Sequence, residues 1–133
     1  MIMKTTKADK YFSLFIRLRD ADENGCARCI TCGTYRDVRN MDCGHFIKRQ
    51  HMATRFSEIN CAAQCKKCNA FEQGRDADFE RALIEKYGHE KIDLLKASKN
   101  KTFKRSQINL NYLADYYKQK ATELSREKEI QIW

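Results

Sequence analysis

A chain of 133 residues, 42% of them hydrophobic, is long enough to bury one core and too short for two independent ones. A third of the residues are charged and the net charge is +8 at pH 7, which favours polyanionic partners such as DNA, although a solubilising surface is the alternative. No apolar run approaches the roughly 20 residues that span a bilayer, and the start at Met1 lacks a signal-peptide core, so a cytoplasmic protein without a membrane partner is expected.

The predicted elements follow from apolar spacing, caps and glycines. Apolar residues three and four apart predict an amphipathic helix over about 9–22, with Asp9 as its N-cap. A short hairpin is expected within 34–47, followed by an exposed, positively charged loop over 51–57. Further helices are predicted over 70–73, over 76–87 with Asp76 as cap and Gly88 as stop, over about 90–97, and over about 106–128.

The segment 96–105 combines basic residues with one aromatic ring. It contains no acidic residue, and its basic and aromatic members are Lys96, Lys99, Lys101, Phe103, Lys104 and Arg105. Such a segment could bind phosphates with a ring available for stacking, or could be a solvated connector. The basic character of the whole chain favours the first interpretation.

Cysteine spacing predicts a metal site. Cys29-x-x-Cys32 and Cys65-x-x-Cys68 are two ligand pairs, and seven cysteines without a secretion signal are typical of metal binding rather than disulfides. Gly33 follows the first pair and allows the turn-like backbone of a zinc knuckle. Four thiolates fill the coordination sphere, so this zinc is expected to be structural. Cys26, Cys43 and Cys61 are then spare thiols, although exchange of Cys26 for one ligand of the first pair stays open.

A second group of residues suggests hydrolytic chemistry. His45 lies at the end of a predicted strand, Asn60 lies five residues before Cys65, and Asn69 directly follows Cys68. This order of histidine, asparagine and asparagine beside a Cys-x-x-Cys pair resembles the HNH nucleases with a ββα-metal core. The fold predicted for the chain is therefore α+β: a treble-clef-like core over about 26–75, an N-terminal helix, and a helical region over about 76–128, all in one domain.

More of the sequence resembles the NinG/Rap family of phage recombination nucleases. The motifs that carry the resemblance are Phe12-Ser13-x-Phe15-Ile16-Arg17-x-Arg19-Asp20-Ala21-Asp22, Cys29-Ile30-Thr31-Cys32-Gly33, Asp42-x-Gly44-His45-Phe46-Ile47, Arg55-Phe56, Asn60 and Gln64-Cys65-x-x-Cys68-Asn69. The resemblance implies a structure-selective endonuclease for branched recombination intermediates such as Holliday junctions and D-loops. It also implies a phage-encoded protein in the host cytoplasm, with phage recombination proteins as partners.

The site residues suit phosphodiester hydrolysis. His45 is predicted to be the general base, and Asp42 and Asn69 to hold one Mg²⁺ or Mn²⁺. Many HNH enzymes carry the metal-binding residue directly before the base, where this chain has Gly44 and Asp42 lies two residues earlier. A turn hydrogen bond is the alternative role for Asp42. Asn60 is expected to brace the loop through backbone hydrogen bonds. The predicted DNA contacts are Lys48, Arg49, Arg55, Lys66, Lys67, Lys101, Lys104 and Arg105.

Two other classes of function remain open at this level. A non-catalytic zinc module that binds DNA or bridges recombination proteins would share the cysteines and the charge, but would not require His45 together with Asn69. A thiol redox protein would need reactive cysteines, which zinc-bound thiolates are not. For a nuclease, one active site cuts one strand, so paired cleavage of a junction requires a homodimer or two sequential events.

Overall fold

The structure is a computed structural model and describes residues 4–101 and 109–133. Its elements are α1 (Lys7–Asp20), β1 (Cys26–Arg28), β2 (Tyr35–Asp37), β3 (Met41–His45), α2 (Met52–Arg55), β4 (Cys61–Cys65), α3 (Asp76–Tyr87), α4 (His89–Ser98) and α5 (Leu110–Lys128). The strands form two antiparallel pairs, β1 with β2 and β3 with β4. This arrangement is the predicted mixture of helices and small sheets.

Helix α1 begins at a capping box. The Thr6 hydroxyl accepts a hydrogen bond from the Asp9 backbone N–H, and the Asp9 carboxylate accepts one from the Thr6 N–H. The prediction that Asp9 is the N-cap is therefore wrong: Asp9 is the third helical residue, and Thr6 is the cap. The buried face of α1, which includes Phe12 and Ile16, packs mainly against α5.

The pairing of the strands differs from the predicted hairpin within 34–47. Strand β2 pairs back to β1, with Ala27 opposite Arg36, and a 3-10 turn at Val38–Asn40 separates it from β3. Strand β3 instead pairs with β4, with His45 opposite Cys61. The hairpin prediction was wrong because it used only the local apolar pattern, whereas β3 has its partner beyond a fifteen-residue connection, a separation that carries no local signal.

The β3–β4 pair lies between two apolar cores. Side chains alternate along a strand, so Cys61 and Ala63 face the core formed with α1 and α5, while Ala62 faces the core formed with α3 and α4. All five residues of β4 are buried. This position makes the pair the rigid element on which the candidate site is built.

The connection between β3 and β4 is not the exposed loop that was predicted over 51–57. It contains the short helix α2, and the side chains of Thr54 and Arg55 are buried. Burial of Arg55 is possible because Asp9, 46 residues earlier, supplies a carboxylate. The local sequence contains no sign of that partner.

The chain after β4 follows the predicted order with shifted boundaries. A π-helical turn at Lys67–Phe71 replaces the helix predicted over 70–73. Helix α3 starts at Asp76 with Arg75, not Asp76, at the N-cap, and it stops at Gly88 as predicted. The last helix ends at Lys128 as predicted, and Asn109 caps its start.

The basic segment 96–105 and the predicted first residues of the last helix lie partly outside the described residues. Lys101 is exposed, whereas Phe103, Lys104 and Arg105 belong to the part that the structure does not describe. In the described part of the chain, no helix is long and apolar enough to cross a membrane.

Candidate functional site

Four cysteines from two parts of the chain meet beside the two sheets. The Sγ atoms of Cys29, Cys32, Cys65 and Cys68 all lie within 4.8 Å of one another. The Cys32 and Cys65 sulfurs are 3.8 Å apart, which is too far for a disulfide and close to the roughly 3.8 Å edge of a tetrahedron with Zn–S bonds of about 2.3 Å. The cluster therefore fits a tetrahedral metal ion such as zinc. Among the described residues Cys26 is not part of this group, which resolves the alternative left open above.

The backbone around the cysteines is shaped for sulfur ligands. Gly33 has a φ of 75°, the left-handed conformation that was expected of it. Its N–H donates to the Cys29 carbonyl, and the Cys68 N–H donates to the Cys65 sulfur at 3.5 Å. Each Cys-x-x-Cys pair is thus held in a tight turn.

The cluster needs a cation to carry its full charge. Burial opposes ionisation of Cys29, but hydrogen bonds from the Cys65 backbone and the Thr31 hydroxyl lower the pKa of this thiol to about 6. Burial, together with the neighbouring thiols, raises the pKa of Cys65 to about 12. One thiol of the cluster ionises readily, whereas the cluster opposes ionisation of the next thiol. A divalent ion would compensate the negative charge of the additional thiolates, which the protein groups alone do not balance.

His45 is held at the end of β3 by one defined contact. Its Nε2 lies 2.9 Å from the Arg55 carbonyl oxygen, and the Phe12 ring packs against it with a centroid separation of 6.2 Å. A carbonyl only accepts, so Nε2 carries the proton and Nδ1 of the neutral ring carries the lone pair. Burial is the main reason why the pKa of His45 is lowered to about 4, and the Arg49 charge adds to the effect. The imidazole is therefore neutral at pH 7.

The carbonyl that holds His45 is itself fixed by a buried ion pair. The Arg55 guanidinium donates from Nε and Nη2 to the two Asp9 carboxylate oxygens at 2.9 and 2.5 Å. Both side chains are less than a tenth exposed. Arg55 is thus engaged inside the protein, and we assign it a structural role instead of the predicted phosphate contact.

Asn60 lies fully buried at the end of the β3–β4 connection. Its Oδ1 accepts from the Ile47 N–H at 2.8 Å, and its Nδ2 donates to the carbonyls of Ile47 and Thr54 at 2.9 and 3.1 Å. These three hydrogen bonds join the end of the β3–β4 connection to its start at Ile47 and to its middle at Thr54. An asparagine is suited to this position because its amide offers both a donor and an acceptor.

Asp42 and Asn69 are brought together from β3 and the π-helical turn. The Asn69 Nδ2 donates to one Asp42 oxygen at 3.0 Å, and the Lys66 ammonium donates to the other at 2.9 Å. Gly44 lies on the same face of β3 as Asp42, but the side chain of Gln64 fills the space beside it. The position directly before His45 thus has no room for a larger residue.

Asp42, His45 and Asn69 line one open cleft of about 1250 Å³. Basic residues around it come from α1, the turn before β3, the chain after β3 and the start of the π-helical turn; they are Lys10, Arg17, Arg39, Lys48, Arg49 and Lys66. The predicted contacts Lys48, Arg49 and Lys66 belong to this set, whereas Lys67 and Lys101 are exposed but do not line the cleft.

Sequence reasoning missed several cleft residues. Lys10 and Arg17 are seven residues apart on α1, a spacing that puts them on one helix face, but the pattern does not tell which neighbour that face meets. Trp133, at the end of the described chain, also lines the cleft and is 53% exposed. Nothing in the local sequence places it there.

These features define a class: a mixed α+β protein with a four-cysteine cluster that could hold a metal ion, next to a basic cleft. Comparison with known proteins gives the family. The family model described as "Bacteriophage Lambda NinG protein" matches residues 4–128, so the chain belongs to the NinG family.

Individual relatives agree with the family match. The chain is 33% identical over 96 residues to Protein ninG of Escherichia phage lambda and to Protein ninG of Enterobacteria phage VT2-Sa, and 32% identical over 96 residues to Protein ninG of Enterobacteria phage H19B. Each alignment covers 71% of this chain and 45% of the relative, so the chain spans about half the length of the curated relatives it matches. No solved structure matches the chain.

Proposed function

We propose that the chain is a metal-dependent, structure-selective DNA endonuclease of the HNH type that cleaves phosphodiester bonds in branched recombination intermediates. The observation that carries the proposal is the meeting of Asp42 and Asn69 in the same cleft as a neutral, oriented His45. The basic lining of the cleft supports a DNA substrate. The preference for Holliday junctions and D-loops, and a phage origin, rest on the family resemblance.

The side chains fit the proposed metal. Adjacent ligands of an octahedral Mg²⁺ with bonds of about 2.1 Å lie about 3.0 Å apart, which is the separation of the Asp42 and Asn69 side-chain atoms. Half a turn of the Asn69 amide would present its oxygen in place of its nitrogen. A Mg²⁺ or Mn²⁺ ion held there would neutralise charge on the phosphate as the leaving oxygen departs.

The protein's own groups supply the remaining chemistry. His45 Nδ1 would take a proton from the attacking water, with the ring kept in one tautomer by the Arg55 carbonyl. Arg49 and Lys66 would bind phosphate oxygens on either side of the cut. Asn60 and the Asp9–Arg55 pair would keep the base in position without touching the substrate.

The test is cleavage of a labelled four-way junction and of a matched linear duplex with Mg²⁺ or Mn²⁺. We expect selective cleavage of the junction, lost in His45→Ala while junction binding persists. His89→Ala is the matched control, because His89 is an exposed histidine at the start of α4, outside the cleft. Cleavage by His45→Ala at the wild-type rate would rule out the proposed base.

One observation favours a second candidate, a non-catalytic zinc-stabilised module that binds DNA or bridges recombination proteins. The Lys66 ammonium pairs with Asp42 and, together with Asn69, satisfies the carboxylate without any metal ion. If the wild-type protein binds the junction but does not cut it with either metal ion between pH 6 and pH 9, this second function replaces the first.

A further inference from the structure

A second group of potential metal ligands lies outside the four-cysteine cluster. The side-chain ligand atoms of Cys43, His45 and Cys61 all lie within 4.8 Å of one another. The register of the strands explains why: His45 is directly opposite Cys61, and Cys43 is two residues before His45 on the same face of β3. Two rigid, paired strands therefore present two thiols and one imidazole together.

We propose that Cys43, His45 and Cys61 form a second binding site for a thiophilic divalent cation, with Zn²⁺ as the ion it would take. Two thiolates and one imidazole are a known zinc ligand set, and they leave the fourth position for water or another ligand. Binding replaces the two thiol protons by the ion, and the charge of the two thiolates balances that of the ion. Its thiolate ligands prefer a different ion from the Asp42 and Asn69 pair, whose oxygen donors suit Mg²⁺.

The surroundings of His45 support a metal at this position. Its Nε2–H donates to the Arg55 carbonyl, the kind of contact that orients a metal-bound imidazole, and Nδ1 is then the nitrogen that carries the lone pair. Cys43 and His45 both line the open cleft, whereas Cys61 is fully buried beneath them. An ion could thus enter from the cleft, meet Cys43 and His45 first, and complete its contacts with Cys61.

Occupation of this site has a functional consequence that rests on the proposed nuclease function. The ion would use the lone pair of His45 Nδ1 that the attacking water needs. Zinc at the second site would therefore switch the nuclease off, while zinc at the four-cysteine cluster would stabilise the fold. The same ion would have opposite effects at the two sites.

The test is a count of bound metal in the full chain. After equilibration with excess Zn²⁺ and removal of free ion, the wild type should retain two zinc ions per chain and Cys43→Ala one. Cys26→Ala, which removes a half-buried thiol outside both clusters, should still retain two. Substitution at Cys43 is chosen over Cys61 because Cys61 is fully buried, so its loss could prevent folding.

A spectroscopic measurement identifies the ligands of each ion. Co²⁺ replacing zinc should give two sets of d–d bands in the wild type, and one set, that of the all-sulfur site, in Cys43→Ala. A single ion in the wild type at excess zinc, or two ions in Cys43→Ala, would overturn the proposal. Both readouts are independent of DNA cleavage, so they decide the metal site even if the protein proves not to be a nuclease.

The effect on activity is then measured separately. Junction cleavage at increasing Zn²⁺ with Mg²⁺ held constant should fall at least tenfold in the wild type at the concentration that fills the second site. Expressed relative to its own rate without added zinc, Cys43→Ala should lose this inhibition and Cys26→Ala should keep it. Equal inhibition of all three proteins would place the inhibitory ion elsewhere.

Discussion

Individual side chains in this protein have roles that only their three-dimensional partners define. The Arg55 carbonyl orients His45, and the Gln64 side chain determines what can stand before His45. In each case a single contact selects one chemical state or one residue type. Two consequences of these contacts can be measured directly.

The first concerns the space next to Gly44. A methyl group on this residue would overlap Gln64 Oε1 and would lie 2.9 Å from Gln64 Cβ, so Gly44→Ala should lower the free energy of unfolding by about 1–3 kcal/mol. Denaturant unfolding measures the loss. In a Gln64→Ala background part of the crowding is gone, and the same substitution should cost less. An equal cost in both backgrounds would contradict the assigned clash.

The second concerns the protonation of His45. Its pKa in the folded protein is lowered to about 4, against 6.5 for an ordinary histidine, mainly by burial. The ring signals of His45 in NMR spectra should therefore show a neutral imidazole at pH 5.5. A midpoint near pH 6.5 for this residue would contradict it. Because the unfolded chain takes up the proton first, the contribution of His45 to stability decreases as the pH falls from about 6.5 towards 4.

At the scale of elements, helix α1 both packs in the core and helps to position the candidate site. Its apolar face packs against α5, and its first turn supplies the carboxylate that holds Arg55 and hence the carbonyl that orients His45. His45 is therefore positioned through Asp9 in α1, which lies 46 residues before Arg55, and not by a neighbour in sequence. Substitutions in the first turn of α1 should therefore alter the position of His45 in the cleft.

Asp9→Asn tests this connection. The substitution keeps a side-chain oxygen that can accept the hydrogen bond from the Thr6 N–H and removes the charge. The buried guanidinium then loses its carboxylate, which should cost about 3–5 kcal/mol. Asp37→Asn, in the exposed pair with Arg39, is the matched control and should cost about 0–1 kcal/mol. Urea unfolding compares the two, and equal losses would rule out the structural role of the buried pair.

The same pair has a defined pH dependence. Burial opposes ionisation of Asp9, but the hydrogen bonds from Arg55 and Thr6 lower its pKa below 3.8 overall. The folded state thus binds this proton less readily than the unfolded chain. The stabilisation is present above about pH 3.8 and is lost as the pH falls through the lower pKa of the folded protein.

The sequence predicted the helices and the clustering of four cysteines better than the strands. Helices α1, α3 and α4 carry local signals, namely apolar spacing and a stop at Gly88, and Cys-x-x-Cys spacing with Gly33 identifies the four clustered thiols. The pairing of β3 with β4 and the burial of Arg55 depend on partners far along the chain, which no local pattern encodes. The grouping of Cys43 with Cys61 follows from that pairing, so it could not be predicted either.

At the scale of the whole molecule, two apolar cores hold β3 and β4 from both faces, and the candidate site opens along β3. The four-cysteine cluster ties the β1–β2 hairpin to the end of β4, close to Asn69. Basic residues from elements that are distant in sequence line the cleft. A polyanion lying in it would contact several of these elements at once.

Binding of a DNA junction should therefore depend on the cleft cations and on salt. Each phosphate contact contributes roughly 0.9 to the slope of log K against log salt, so Arg49→Ala should weaken binding and reduce this slope by about one. Arg81→Ala removes the same charge from the exposed face of α3, outside the cleft, and should leave the slope unchanged. Trp133 is the single tryptophan and lines the cleft, so its fluorescence gives the binding readout. Equal slopes for the two variants would show that DNA binds to another surface.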